Sequence, residues 1–266
     1  MPTMTNECTA VTTSAKWITK KRTMAETGVK PKPVAQTAAA LIQVTTFANP
    51  VTKKMMMGGT GLALIAFLFI HLLGNLSLFA GSGGLNTYAQ FLHTMPVVVW
   101  VFRFVIALMF ILHVWYAIQV TIENRTARPV DYACRSYQKS TLISRSMIWT
   151  GLIVAGFLIY HLLHFTLQSL YPDTSAAVLR DSLGRPDVYR MVVLGFQNTL
   201  SSLFYLTGLL ALAFHLSHGI HSALQTFGLA TQRTLPIKIR AAFIIAGMLF
   251  FAYTSIPISI FVGAVK

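Results

Sequence analysis

Seven of the eight histidines lie inside long apolar runs: His71, His113, His161, His164, His215, His218 and His221. Ionisable side chains are costly at membrane depth, and those that occur there usually face a bundle interior and serve a function. One such histidine needs no more than a hydrogen bond to a neighbouring helix. Here four separate runs each carry at least one. Imidazole ligates zinc, copper and iron alike, but a zinc or di-iron centre calls for carboxylate or thiolate nearby. The five runs contain no Asp, Glu or Cys. A flat macrocycle held between helices asks only for two histidines at one depth, each giving an axial nitrogen to the same iron.

The depths supply two such pairs. At about 1.5 Å of rise per residue from the cytoplasmic end of each run, His71 and His161 both lie roughly 21 Å up, at an outer level. His113 lies roughly 14 Å and His215 roughly 18 Å from the cytoplasmic ends of their own runs, at an inner level. His218 suits the inner level as well as His215 does, and depth alone leaves that choice open. Two pairs imply two haems b stacked across the membrane. With both axial positions filled, such an iron suits electron transfer rather than oxygen chemistry. Gly59, Gly61, Gly74, Gly151, Gly156, Gly208 and Gly219 stand beside these positions, where they open room for a ring or for close helix packing.

Five elements must carry these residues. The apolar runs span about 57–79, 97–122, 147–170, 200–227 and 237–265, each long enough to cross a hydrocarbon core of about 30 Å. A Gly-rich turn, Gly81-Ser82-Gly83-Gly84, separates the first two, and a short amphipathic helix is expected around Val188 to Leu194. Of the 266 residues, 55% are hydrophobic and 11% charged, against roughly 25% charged in soluble domains. The expected fold is an all-α integral membrane bundle of five transmembrane helices over 53–266, after a cytoplasmic arm over 1–52 that lacks the pattern of a signal peptide.

The net charge of +14 lies almost wholly between the runs, where it sets topology and meets lipid headgroups; no nucleic-acid motif accompanies it. The arm and its junction hold eight Lys and Arg, ending in Lys53 and Lys54. The second loop adds Arg125, Arg128, Arg135, Lys139 and Arg145, and the fourth adds Arg233, Lys238 and Arg240, whereas 80–96 has none. Arg180, Arg185 and Arg190 of the third loop are matched by Asp173, Asp181 and Asp187. The N-terminus is therefore expected inside and the C-terminus outside. The two cysteines, Cys8 and Cys134, both fall in segments expected in the cytoplasm, support no disulfide framework and are too few for an iron–sulfur cluster.

The motifs Thr60-Gly61, His71-Leu72-x-x-Asn75, Asn86-x-Tyr88, Leu92-His93-x-x-Pro96, Leu112-His113-x-x-Tyr116, Thr150-Gly151, Tyr160-His161 and Phe214-His215-x-Ser217-x-Gly219 occur in that order. From about Lys53 onward the chain resembles the five-helix, di-haem cytochrome b membrane anchor of succinate:quinone oxidoreductases and fumarate reductases, the type with a single membrane subunit. The resemblance implies His71, His113, His161 and His215 as the axial ligands of haem iron. It also implies a flavoprotein partner with FAD and an iron–sulfur partner, docked on the cytoplasmic face of a multi-pass protein of the cell inner membrane. Succinate would be oxidised on the partner, and a quinone, menaquinone by resemblance, would be the membrane substrate. A higher oligomer of the complex is compatible with this arrangement. Relatives that place glutamates within or beside the helices move protons through them, a route that runs without carboxylates do not offer.

The remaining expectations concern polar groups near the two levels. Lys53, Lys54 and Arg145 are candidates for inner haem propionates, and Arg103, a charged residue within the second run, for an outer one. Snorkelling to the outer headgroups is the other role open to Arg103. Asn86, Tyr88 and His93 supply hydrogen-bonding groups at the outer boundary, where a quinone would take up protons, with His93 as the proton donor. Two other classes share part of this pattern: the haem b subunit of another respiratory dehydrogenase or reductase, and a haem-free membrane anchor.

Overall fold

The computed structural model describes residues 49–127 and 145–266. The basic cluster of the arm and Cys8 lie outside the described residues, as do Arg128, Cys134, Arg135, Lys139 and Ser144. The described residues form helices α1 (Pro50–Leu76), α2 (Gly81–His93), α3 (Pro96–Thr126), α4 (Met147–His161), α5 (Val188–Gln197), α6 (Thr199–Thr226) and α7 (Leu235–Phe261). Five helical stretches are long and apolar enough to cross a membrane.

The starts of these helices follow from local chemistry. Asn49 accepts a hydrogen bond from the Val51 amide at 2.9 Å, and Pro50 sits where no amide donor is needed. Asp187 caps α5 through the Arg190 amide, and Asn198 caps α6 through the Ser201 amide. Proline also opens α3 and α7.

Two expectations need correcting. Residues 81–84 are not a turn between spans but the first turn of α2, which follows a 3₁₀ turn over Ser77–Ala80. The change of direction is confined to Gly81, whose φ of +76° favours a residue without Cβ. Beyond it, Leu85 and Asn86 are buried together on one side of α2, so helical burial overrides the local preference of the glycines. The second correction concerns carboxylates. Helix α3 continues past Ile122 to Thr126 and so carries Glu123, which pairs with the buried Lys53 near the start of α1. Lys53 therefore has a carboxylate partner within the chain.

Helix α6 packs against α1, α4 and α7, while α1 also packs against α3. The α6–α7 seam is built on Ala242, Ala246 and Leu249 against Leu216 and Ile220, with Leu72 of α1 joining it. Alanines let the two helices approach closely, which supplies the van der Waals contact that association in lipid depends on. The outward faces carry exposed Trp100, Phe104, Ile111, Trp115 and Trp149, as suits a hydrocarbon solvent.

The expected amphipathic helix is present as α5. It lies with α2 across one end of the bundle, burying Val193 and Phe196 against Leu78, Leu85, Tyr205, Ile256 and Ile260. Asn86 binds this cap together with both ends of its amide, donating to Asp187 at 3.0 Å and accepting from the Tyr189 backbone at 2.9 Å.

Candidate functional site

Two pairs of histidine rings meet across the bundle. His71 of α1 and His161 of α4 have ring centroids 5.8 Å apart with planes at 86°. His113 of α3 and His215 of α6 have centroids 6.3 Å apart with planes at 73°. Neither α1 with α4 nor α3 with α6 is a principal packing contact of the bundle, so each pair spans its interior rather than a helix seam. A metal–imidazole bond is about 2 Å long, as in zinc sites, and the nitrogen lies about 1.1 Å from the ring centre, so two rings sharing one metal stand roughly 6 Å apart. Both separations match that requirement.

The outer nitrogens of three rings are held by the protein. His113 Nδ1 lies 3.0 Å from the Met57 carbonyl, which can only accept, so this nitrogen carries the hydrogen. His215 Nδ1 lies 3.3 Å from Thr150 Oγ1, whose own hydrogen is directed to the Ser146 and Met147 carbonyls. Nδ1–H therefore donates to that hydroxyl oxygen as well. Each ring is left with an unprotonated Nε2, the form that binds a metal, while the opposite nitrogen is anchored in the usual second-shell manner. His161 Nδ1 lies 3.2 Å from the hydroxyl of Tyr205. His71 stacks on Phe67, with centroids 5.3 Å apart.

Glycines set the approach of the inner rings. A Cβ on Gly61 would stand 3.1 Å from His113 Cε1, and one on Gly151 would stand 3.4 Å from His215 Cε1. Gly74 and Gly208 instead receive the Tyr88 and Phe157 rings, Gly59 faces Phe227, and Gly156 and Gly219 have no heavy atom within 4 Å of a built Cβ. These residues and spacings fit a planar tetrapyrrole with two axial histidines.

Other expected site residues are placed differently. Asn86 is almost fully buried, with its amide committed to α5, and the Tyr88 ring is wedged over Gly74. His93 is exposed at the end of α2. Arg103 is exposed on α3 with its guanidinium 5.1 Å from the Trp100 ring centre, an arrangement suited to the headgroup level. Arg145 lies just before α4. His218 packs on His221 at 4.8 Å, and His221 Nδ1 lies 2.8 Å from the Ser217 carbonyl.

Tyr205 and the Met57 carbonyl were not singled out in the sequence, and Thr150 entered only as part of the Thr150-Gly151 motif, without a role of its own. Tyr205 had one signal, since it lies ten residues before His215 and so about 15 Å further out along α6, toward the outer pair. His164 carries a second unforeseen feature. It is buried at 4% exposure, its Nδ1 has no hydrogen-bond partner, and it occupies a π-helical turn, Leu162–Thr166, beside Phe165 and Tyr205.

A family model described as the succinate dehydrogenase/fumarate reductase transmembrane subunit matches residues 124–254. The matched stretch contains His161, Tyr205 and His215, while His71 and His113 precede it. Comparison with curated proteins and with solved structures gives no match. A histidine-bearing helical bundle with five membrane-spanning stretches is the setting in which that match falls, and the chain belongs to the succinate dehydrogenase/fumarate reductase transmembrane subunit family.

Proposed function

We propose that this chain anchors a succinate dehydrogenase in the cytoplasmic membrane and carries electrons through two b haems to a quinone. The observation that supports it best is the pair of cross-bundle histidine contacts, 5.8 Å and 6.3 Å between ring centres. Haem bound at each pair would supply a one-electron centre with both axial positions filled. His113 and His215 would hold the inner group, with their Nδ1 hydrogens donated to Met57 and Thr150 so that both Nε2 atoms point to one ligand. His71 and His161 would hold the outer group.

Electrons would enter from an iron–sulfur subunit on the cytoplasmic face, itself supplied by a flavoprotein with FAD. They would leave to quinone, menaquinone by resemblance, at the outer end, where exposed His93 stands as proton donor. Asn86 and Tyr88 have structural duties in the cap, so the donor role rests on His93 alone.

A pyridine haemochrome assay on the purified protein tests the cofactor. Two haems per chain are expected, and none would overturn the reading. Identification of co-purifying subunits tests the complex, since a partner without covalent or tightly held flavin would exclude a succinate dehydrogenase.

A further inference from the structure

The outer pair differs from the inner one in how it is anchored. His113 is held by a backbone carbonyl, and His215 is held by the Thr150 hydroxyl, which is itself tied to the Ser146 and Met147 carbonyls. The outer pair has a single side-chain anchor, the Tyr205 hydroxyl at 3.2 Å from His161 Nδ1. Among the described residues the His71 ring makes no hydrogen bond and relies on its stack with Phe67.

Tyr205 is itself fixed. It is 5% exposed, and its ring meets Phe157 edge-on at 5.2 Å and Phe196 edge-on at 4.8 Å. Such a phenol has one hydroxyl position and little freedom to turn away. A phenol can donate to Nδ1 or accept from it, and the two cases leave opposite tautomers. Donation would put the ring hydrogen on Nε2 and block a metal there. Acceptance keeps the hydrogen on Nδ1, frees Nε2 and makes the ring a stronger donor to the metal.

We propose that Tyr205 is the positioning residue of the outer pair, accepting the His161 Nδ1 hydrogen and so lowering the reduction potential of the outer haem independently of the inner one. This rests on the haem-ligand reading above. The direction follows from charge: a more basic axial imidazole stabilises the ferric form over the ferrous one. Replacing the acceptor by a carbon–hydrogen edge removes that preference and leaves the ring packing against Phe157 and Phe196 in place.

The test is a spectroelectrochemical titration of the full complex in its wild-type and Tyr205→Phe forms, read at the two haem components separately. Tyr205→Phe should keep both haems and raise the potential of the outer component alone. The expected change in its reduction equilibrium is several-fold and at most about tenfold, the latter equivalent to about 59 mV for one electron. An unchanged outer component, or an equal shift of both, would overturn the proposal. If Tyr205→Phe loses the outer haem, Tyr205→Gln decides: retention with the restored acceptor supports the electronic role, and loss from both variants overturns it in favour of packing alone. Absence of haem from the wild-type protein would reject the haem reading itself, an outcome distinct from any of these.

Discussion

The His71 and His161 rings stand at 86° to one another with centres 5.8 Å apart, and the His113 and His215 rings at 73° and 6.3 Å. Imidazole planes that cross nearly at right angles act on different iron d orbitals of π symmetry, which leaves those orbitals close in energy. On the proposed reading, haems bound at the two pairs should therefore give low-spin ferric resonances of strong anisotropy, with a large maximum g value. Electron paramagnetic resonance of the oxidised protein checks this, and two ordinary rhombic spectra would show the planes to be parallel.

The same geometry predicts which histidines act together on the proposed reading. His71→Ala and His161→Ala should remove one and the same spectral component, and His113→Ala and His215→Ala the other. His218→Ala should retain both, because His218 packs on His221 while His215 faces His113. Optical difference spectra of the five variants read this directly, and a component shared by His71 and His113 would break the pairing.

The spans were legible in the sequence because their cause is local, the length of each apolar run, and the spacing of the histidines along those runs anticipates the ring pairs His71 with His161 and His113 with His215. Residues 81–84 misled because glycine content marks a turn locally, while the helix there is secured by distant partners, Asp187 and Tyr189 of the outer cap. Glu123 was missed by stopping the span where apolarity stops, although the helix runs on into the interface. Tyr205 and Thr150 are common residue types for a helix, and only the rotation of α4 and α6 about their axes reveals that they meet histidines.

Lys53 and Glu123 join the start of α1 to the end of α3. Lys53 is buried, so Glu123→Gln leaves an ammonium with no counter-charge in poor solvent. Glu123 is more than a third exposed, and solvent screening discounts the loss to about 1–2 kcal/mol. Thermal unfolding in detergent should show that decrease, and Lys53→Met with Glu123→Leu should recover part of it. Equal stability of the single variant and the wild type would mean that lipid or water already solvates Lys53.

The outer loop carries a pH-dependent element. Burial opposes the charge on Asp181, but hydrogen bonds from Arg185 and Leu183 and the Arg185 charge outweigh it and hold its carboxyl below the usual range. A depressed carboxyl contributes stability above its unfolded value of about 3.9 and loses it as pH falls through the lower folded value. Amide exchange over 179–187 should accordingly stay slow from neutral pH to about pH 4, after correction for intrinsic rates, and rise only below that. Faster exchange already near pH 6 would place the titration elsewhere.

The last prediction concerns the exit of electrons. Quinone reduction consumes protons, so its site needs a donor in contact with water at the hydrocarbon boundary. Helix α2 lies at the end of the bundle that the expected orientation puts outside, and exposed His93 forms its C-terminal residue. Imidazole is the side chain suited to giving and regaining a proton near neutral pH. Asn86→Ala should act differently, through the fold: it removes the bonds to Asp187 and Tyr189, at a cost of about 2–4 kcal/mol, and loosens α2 from α5. His93→Ala should leave haem content, thermal stability and reduction of both haems by succinate unchanged while slowing quinone turnover by about 10²-fold, the lower end of what a positioned proton donor contributes. His93→Ala with full quinone turnover, or a photoreactive quinone that labels only the cytoplasmic ends of the helices, would move the site to the inner face, where electrons need not reach the outer haem at all.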